Sequence, residues 1–124
     1  MSRIAVRNGA MQALDGLPIV DRVRRIKPPA LVVSTPREEA LDTGYVSGRI
    51  DVRLTLEVTA YESTEDGVDG LLADVERRFA NDESLGGTVR NLEFSAYELE
   101  FDDGRFNGVQ SWTAIPIGGR ENES

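Results

Sequence analysis

Residues Arg49 to Tyr61 read Arg-Ile-Asp-Val-Arg-Leu-Thr-Leu-Glu-Val-Thr-Ala-Tyr, an unbroken alternation of apolar and polar side chains. Ile50, Val52, Leu54, Leu56, Val58 and Ala60 fall on one face. Arg49, Asp51, Arg53, Thr55, Glu57, Thr59 and Tyr61 fall on the other. Successive strand residues point to opposite sides, so the pattern predicts a long strand with one dry and one charged face. Such a strand is a scaffold and an assembly surface; nothing in it has the chemistry of a reaction centre.

Outward from this strand, the chain reads as alternating elements. Residues 3–14 have helical spacing, with Ile4, Met11 and Leu14 on one face, Ala10 and Ala13 beside them, and Arg3, Arg7 and Gln12 outside. Gly16 is the expected stop. Ile19–Ile26 reads as an edge strand or loop ended by Pro28-Pro29, and Leu31–Thr35 as a strand closed by Pro36. Residues 36–48 are charged and poor in core candidates, either a flexible loop or a hairpin arm carried away from the body.

After the long strand, Ser63-Thr64-Glu65-Asp66 supplies capping side chains and first-turn negative charge. Val68, Leu71, Leu72, Val75 and Phe79 then follow at helical spacing; Gly70 among them costs roughly 1 kcal/mol relative to alanine, for which close packing on the sheet is one explanation. Leu85-Gly86-Gly87 is a turn, and Val89–Phe101 is a strand whose apolar phase slips. Leu92 and Phe94 share one parity and Tyr97, Leu99 and Phe101 the other, so a bulge is expected near Ala96. Asp102-Asp103-Gly104 is a turn, Val109–Ile117 the last strand, and the polar stretch 118–124 a flexible tail. The predicted fold is α+β: one mainly antiparallel sheet of about four strands, two helices on one face, and an extended charged arm, all within one domain over residues 1–117.

Composition narrows the function. Cysteine and histidine are both absent, which removes thiolate chemistry, ordinary zinc sites and the commonest general base. The formal charge is -8. Residues 1–30 carry six basic and two acidic side chains, a net of +4 against -12 for the remainder. A basic end and an acidic body can attract each other between copies, head to tail, or both can simply be solvated to maintain solubility. The net sign argues against a nucleic-acid surface. No apolar run approaches the ~20 residues that span a bilayer, and the first residues lack a signal-peptide pattern, so no membrane contact is expected.

Three stretches invite a chemical reading. Asp102 and Asp103, with Glu98 and Glu100 nearby, could hold a divalent cation, but adjacent aspartates before glycine are far more often a hairpin tip. Leu85-Gly86-Gly87-Thr88 lacks the lysine and following helix of a phosphate loop. Trp112, Tyr61 and Tyr97 could form an aromatic ligand surface; core burial is the better reading for Trp112. No catalytic, metal or cofactor residue is assigned, and no cofactor is expected.

The order of elements resembles the tail terminator proteins of long-tailed phages and related viruses, the minor tail protein U-like or tail-to-head joining family. The likeness runs through Pro29-Ala30-Leu31-Val32-Val33, Arg49–Tyr61, the helix Asp66–Phe79, Glu83-Ser84-Leu85-Gly86-Gly87-Thr88-Val89 and Phe106-Asn107-Gly108, covering roughly residues 3–117. The resemblance implies a virion structural protein and not an enzyme. It implies a ring of six copies on the last ring of tail tube protein, offering its other face to a head-completion or stopper protein, with DNA passing through the lumen. It carries no functional side chain across. Another neck or tube component, such as a head-tail stopper, or a small metal- or ligand-binding domain, remain the alternatives. Arg22, Arg24, Arg25, Arg37, Glu38, Glu39, Asp42, Tyr45, Asp102, Asp103 and Arg105 are the candidate subunit or partner contacts.

Overall fold

A computed structural model describes residues 2–20, 27–46, 49–117 and 120–121, with backbone alone for Ser2, 41–51 and 120–121. The elements are α1 (Ser2–Ala13), β1 (Ala30–Val46), β2 (Arg49–Glu62), α2 (Glu65–Asn81), β3 (Val89–Asp102), β4 (Arg105–Pro116) and β5 (Arg120–Glu121). The four long strands form an antiparallel sheet in the order β1-β2-β4-β3. Short β5 pairs with Arg49 and Ile50 of β2, within the stretch expected to be a flexible tail. The fold is α+β, as the patterning predicts.

The alternation in β2 does what its period requires. Val52, Leu54, Leu56, Val58 and Ala60 are buried beneath the helices, whereas Arg53 is exposed and Thr55, Glu57, Thr59 and Tyr61 are half-buried on the opposite, open face. Across the ladder, Leu54, Leu56, Val58 and Ala60 face Ala114, Trp112, Gln110 and Gly108 of β4. Gly108 is where the sheet approaches α2 most closely: a Cβ there would collide with Val68 Cγ1 and lie 3.1 Å from Leu72 Cδ1. Gly70, for which close packing on the sheet was one explanation, has open space around it and faces water.

Helix α2 begins at Thr64, whose Oγ1 accepts from Gly67 N at 3.0 Å, with Glu65 and Asp66 in the first turn. Its stripe of Val68, Leu71, Leu72, Val75 and Phe79 is buried. At the far end, Asp82 Oδ2 accepts from Gly86 N and Ser84 Oγ from Gly87 N, closing the turn around a fully buried Leu85. This is the turn predicted for Leu85-Gly86-Gly87, and it supports α1. Gly9 sits directly on the Leu85 carbonyl, leaving no room for a side chain.

That close approach corrects the face assigned to α1. Val6, Ala10 and Leu14 are buried, Met11 is only partly covered, and Ile4 is exposed. Arg7, predicted to point to solvent, donates from Nε to the Val33 carbonyl at 3.2 Å. A helix seated this tightly buries its small residues, and these carry little weight in an apolar pattern. Gly16, with φ of 91°, ends the turn that follows α1 as expected.

Over residues 36–46 the loop-or-arm alternative resolves as a strand-paired arm. Strand β1 continues through Pro36, with register shifts between Ser34 and Arg37 and between Ala40 and Tyr45, and pairs with β2 up to Val46↔Arg49. Residues 21–26, read as part of an edge strand or loop, lie outside the described residues. Before them, Ile19 forms a parallel bridge with Leu31.

Candidate functional site

The surfaces available for chemistry or docking are those the two helices leave uncovered. Both helices lie on one face of the sheet, with α1 over β1 and α2 over β2 and β4. The other face carries Arg37, Glu39, Arg53, Glu57, Tyr61, Glu93, Glu98, Glu100, Asp102 and Arg105 among threonine and serine side chains. The Arg105 guanidinium stacks over the Tyr61 ring at 5.1 Å. Arg37 Nε pairs with Glu39 Oε1 at 3.2 Å in an exposed contact.

The candidate contact residues separate into groups. Asp102, Asp103 and Arg105 form the β3–β4 hairpin tip, where Asp102 pairs with Arg105 and the central Asp103-Gly104 has φ of 53° and 73°. Positive φ at both central residues is the geometry that Asp-Gly favours in a two-residue hairpin, and it accounts for Asp103-Gly104 at the tip. Arg37, Glu38 and Glu39 lie near the other end of the sheet, beside Thr55, Leu54 and Arg53. Eight residues of β2 between Glu62 and Leu54 set these groups roughly 27 Å apart. Asp42 and Tyr45 lie on the arm backbone. Arg22, Arg24 and Arg25 fall outside the described residues. Among the described residues, the hairpin-tip and Arg37–Glu39 candidates therefore do not come together in one site.

Strand β3 holds a surface that the patterning did not assign. Its register shifts between Phe94↔Trp112 and Ala96↔Ser111, so Ser95 is the extra, bulged residue. The bulge reverses the parity, and the two apolar sets of opposite phase end on the same face. Leu92, Phe94, Tyr97, Leu99 and Phe101 stand opposite Ala114, Trp112, Gln110, Gly108 and Phe106, all on the helix side. Yet α2 does not reach over β3. Phe94, Tyr97 and Phe101 are 52%, 40% and 64% exposed.

Between α2 and β3 lies an open groove of about 300 Å³ lined by Asp69, Leu72, Ala73, Glu76, Phe94, Tyr97 and Gln110. Its floor is ordered by a relay. Trp112 Nε1 donates to Gln110 Oε1 at 3.0 Å, and Gln110 Nε2 donates to Glu76 Oε1 at 2.9 Å. Trp112 is buried, edge-on to Phe79 at 5.1 Å and to Phe94 at 5.7 Å. Its core placement matches the better reading of the sequence. Burial, then the Asp69 and Glu65 carboxylates, push the Tyr97 phenol above its ordinary pKa, and its hydroxyl hydrogen-bonds Asp69. Trp112, Tyr61 and Tyr97 form no common surface, because Tyr61 lies on the opposite face. The phase slip in β3 was the signal for this groove; the bulge alone could not say that the helix stops short.

Among the described residues, no group of three or more aspartate and glutamate side chains gathers where it could hold a metal ion. No helix there is long and apolar enough to cross a membrane.

No family model and no curated protein matches this chain. A solved structure does: a chain from the virion of a native gene transfer agent (GTA) particle is similar with a TM-score of 0.56 and 12% sequence identity, covering 92% of each chain. The two share a fold over nearly their whole length.

Proposed function

We propose that this chain is a structural component of a phage-like virion and acts without catalysis. Within that class it is a tail terminator: a ring of six copies caps the last ring of tail tube protein, ends tube growth and presents its other face to the head-completion or stopper protein. DNA passes through the lumen, and the ring occupies the head-proximal end of the tail after assembly in the host cytoplasm. The observation that carries the reading is the fold shared over 92% of both chains with a component of a GTA virion. The family likeness of the sequence supplies the finer role.

The surfaces agree with it. Among the described residues one sheet face is uncovered and largely polar, a strand-paired arm extends from β1 and β2, and an edge strand exposes aromatic side chains. A basic first quarter and an acidic remainder suit contacts that repeat from copy to copy and close when the rotation permits.

Electron microscopy of particles carrying a labelled copy tests the assignment. Density at the tail's head-proximal end, with unjoined heads and tails of irregular length when the chain is deleted, is the expected result. Label inside the head or at the distal tip would refute it, and label one ring nearer the head would favour a stopper instead.

A further inference from the structure

Among the described residues β3 pairs with β4 alone, so along Val89–Asp102 one row of backbone N–H and C=O groups faces outward. Its two faces are open as well. Val89 is buried and Leu92 and Leu99 are half-buried, while every other residue of the strand is exposed. Such an edge is a template for a further strand, and native sheets blunt it with lysine, proline or charges turned inward. Strand β3 has no lysine or proline, and none of its helix-side residues is charged. Its one blunting device is the bulge at Ser95, beyond which Tyr97–Asp102 pairs with β4 in unbroken register.

That segment has two distinct sides. Tyr97, Leu99 and Phe101 stand on the helix side, in line with Phe94 and the groove under α2; Glu98, Glu100 and Asp102 stand on the open face. From Glu93 to Asp102 every charged side chain is acidic, and the groove wall adds Asp69 and Glu76. Arg90 lies at the other end of the strand, and Arg105, across the hairpin, is stacked on Tyr61. A second β3 laid antiparallel and in phase on this edge would set carboxylate against carboxylate, and like charges directly opposite destabilise a ladder. The edge therefore suits a strand of opposite character. Its apolar side chains, at alternate positions, would cover Phe94, Tyr97 and Phe101. Lysine or arginine between them would meet Glu98, Glu100 and Asp102.

We propose that the free edge of β3 receives, as an added strand of the sheet, an extended segment of a different protein in which apolar residues alternate with basic ones. Main-chain hydrogen bonds along the edge hold the segment, and the alternating side chains decide which segment is held. The inference goes beyond the virion reading and does not rest on it.

A short fluorescent peptide alternating valine with lysine is the probe, with anisotropy reporting affinity and amide hydrogen exchange reporting place. The peptide should bind and slow exchange at the outward amides of residues 97–102 while leaving β1 unchanged. A peptide alternating valine with glutamate should bind at least about tenfold more weakly. Glu98→Lys combined with Glu100→Lys should reverse that order, because two facing pairs change sign. Both glutamates are exposed, so this variant should keep the wild-type melting curve. Proline at two adjacent central positions of the lysine peptide should abolish binding, since one of the two removes a donor facing the edge. No binding of the lysine peptide, equal binding of both peptides, binding that survives the prolines, or protection away from β3 would each overturn the proposal. Slow exchange at 97–102 before any peptide is added would overturn it too, because the edge would already be filled: by this chain if it sediments as a monomer, by a second copy if as a dimer. A failed peptide test leaves the tail assignment to microscopy, and a label absent from the tail leaves the edge test untouched.

Discussion

Alanine in place of glycine should raise stability at position 70 and lower it at position 108. Gly70 sits on the water-facing side of α2 with nothing near its missing Cβ. Alanine there gains helix propensity of about 1 kcal/mol. Gly108 is buried in β4, where a Cβ would collide with Val68 Cγ1 and stand 3.1 Å from Leu72 Cδ1. Neither neighbour has room to retreat, because both belong to the buried stripe of α2. Overpacking of this kind costs about 1–3 kcal/mol. With unfolding entropy of about 2.1 cal/mol/K per residue, a chain this long changes melting temperature by roughly 4 °C per kcal/mol. Gly70→Ala should therefore melt about 4 °C higher and Gly108→Ala about 4–12 °C lower, read by circular dichroism. Val68→Ala opens a cavity and destabilises alone. Combined with Gly108→Ala it should cost less than the sum, by about 0.5 kcal/mol or more, because the smaller side chain admits the new methyl. A Gly108→Ala protein as stable as the wild type would refute the claim that glycine sets the helix–sheet spacing.

Other consequences follow from the same packing. Leu56→Asp buries an unpaired carboxylate opposite Trp112, costing several kcal/mol out of a total of about 5–15, and should leave no cooperative melt at 25 °C. Gln110→Ala strands the Trp112 indole N–H and cuts the link to Glu76, so a loss of about 1–3 kcal/mol should appear in urea titration. Tyr97 has a folded-state pKa raised above its unfolded value, so its contribution to stability is present below about pH 10 and is lost as pH rises through the folded pKa. Ultraviolet titration should show a late-ionising tyrosine that disappears in Tyr97→Phe and shifts down in Asp69→Asn; an unchanged Asp69→Asn profile would remove that carboxylate as a cause.

Several elements were legible residue by residue because their signals are local. The apolar stripe of α2 and the capping Thr64 repeat within a few turns, and Asp103-Gly104 needs only its own backbone to specify a tight hairpin. Strand β1 reads from its sequence as a strand to Thr35 and beyond it as either a loop or a hairpin arm, because Pro36 and the charges after it interrupt the pattern; a register shift carries the proline and pairing resumes at Arg37. The buried face of α1 was misread for a different reason. Val6, Ala10 and Leu14 win over Ile4 and Met11 because the Leu85 carbonyl, distant in sequence, lies against Gly9. Of the candidate contacts, the hairpin tip and the arm proved to lie at opposite ends of the sheet, and the α2–β3 groove was not among them.

What the chain alone determined was its class of architecture and the want of a histidine or cysteine for catalysis. Period-two alternation over residues 49–61 leaves one dry face whatever surrounds it, and composition is independent of folding. Tertiary structure decided which surfaces remain open. A bulge at Ser95 turns two out-of-phase apolar sets onto one face, and the lateral reach of α2 covers β2 and β4 but leaves Phe94, Tyr97 and Phe101 in solvent. Lateral coverage depends on where a helix comes to rest on a sheet, and that position is set by long-range contacts such as Val68 on Gly108, which no local period encodes.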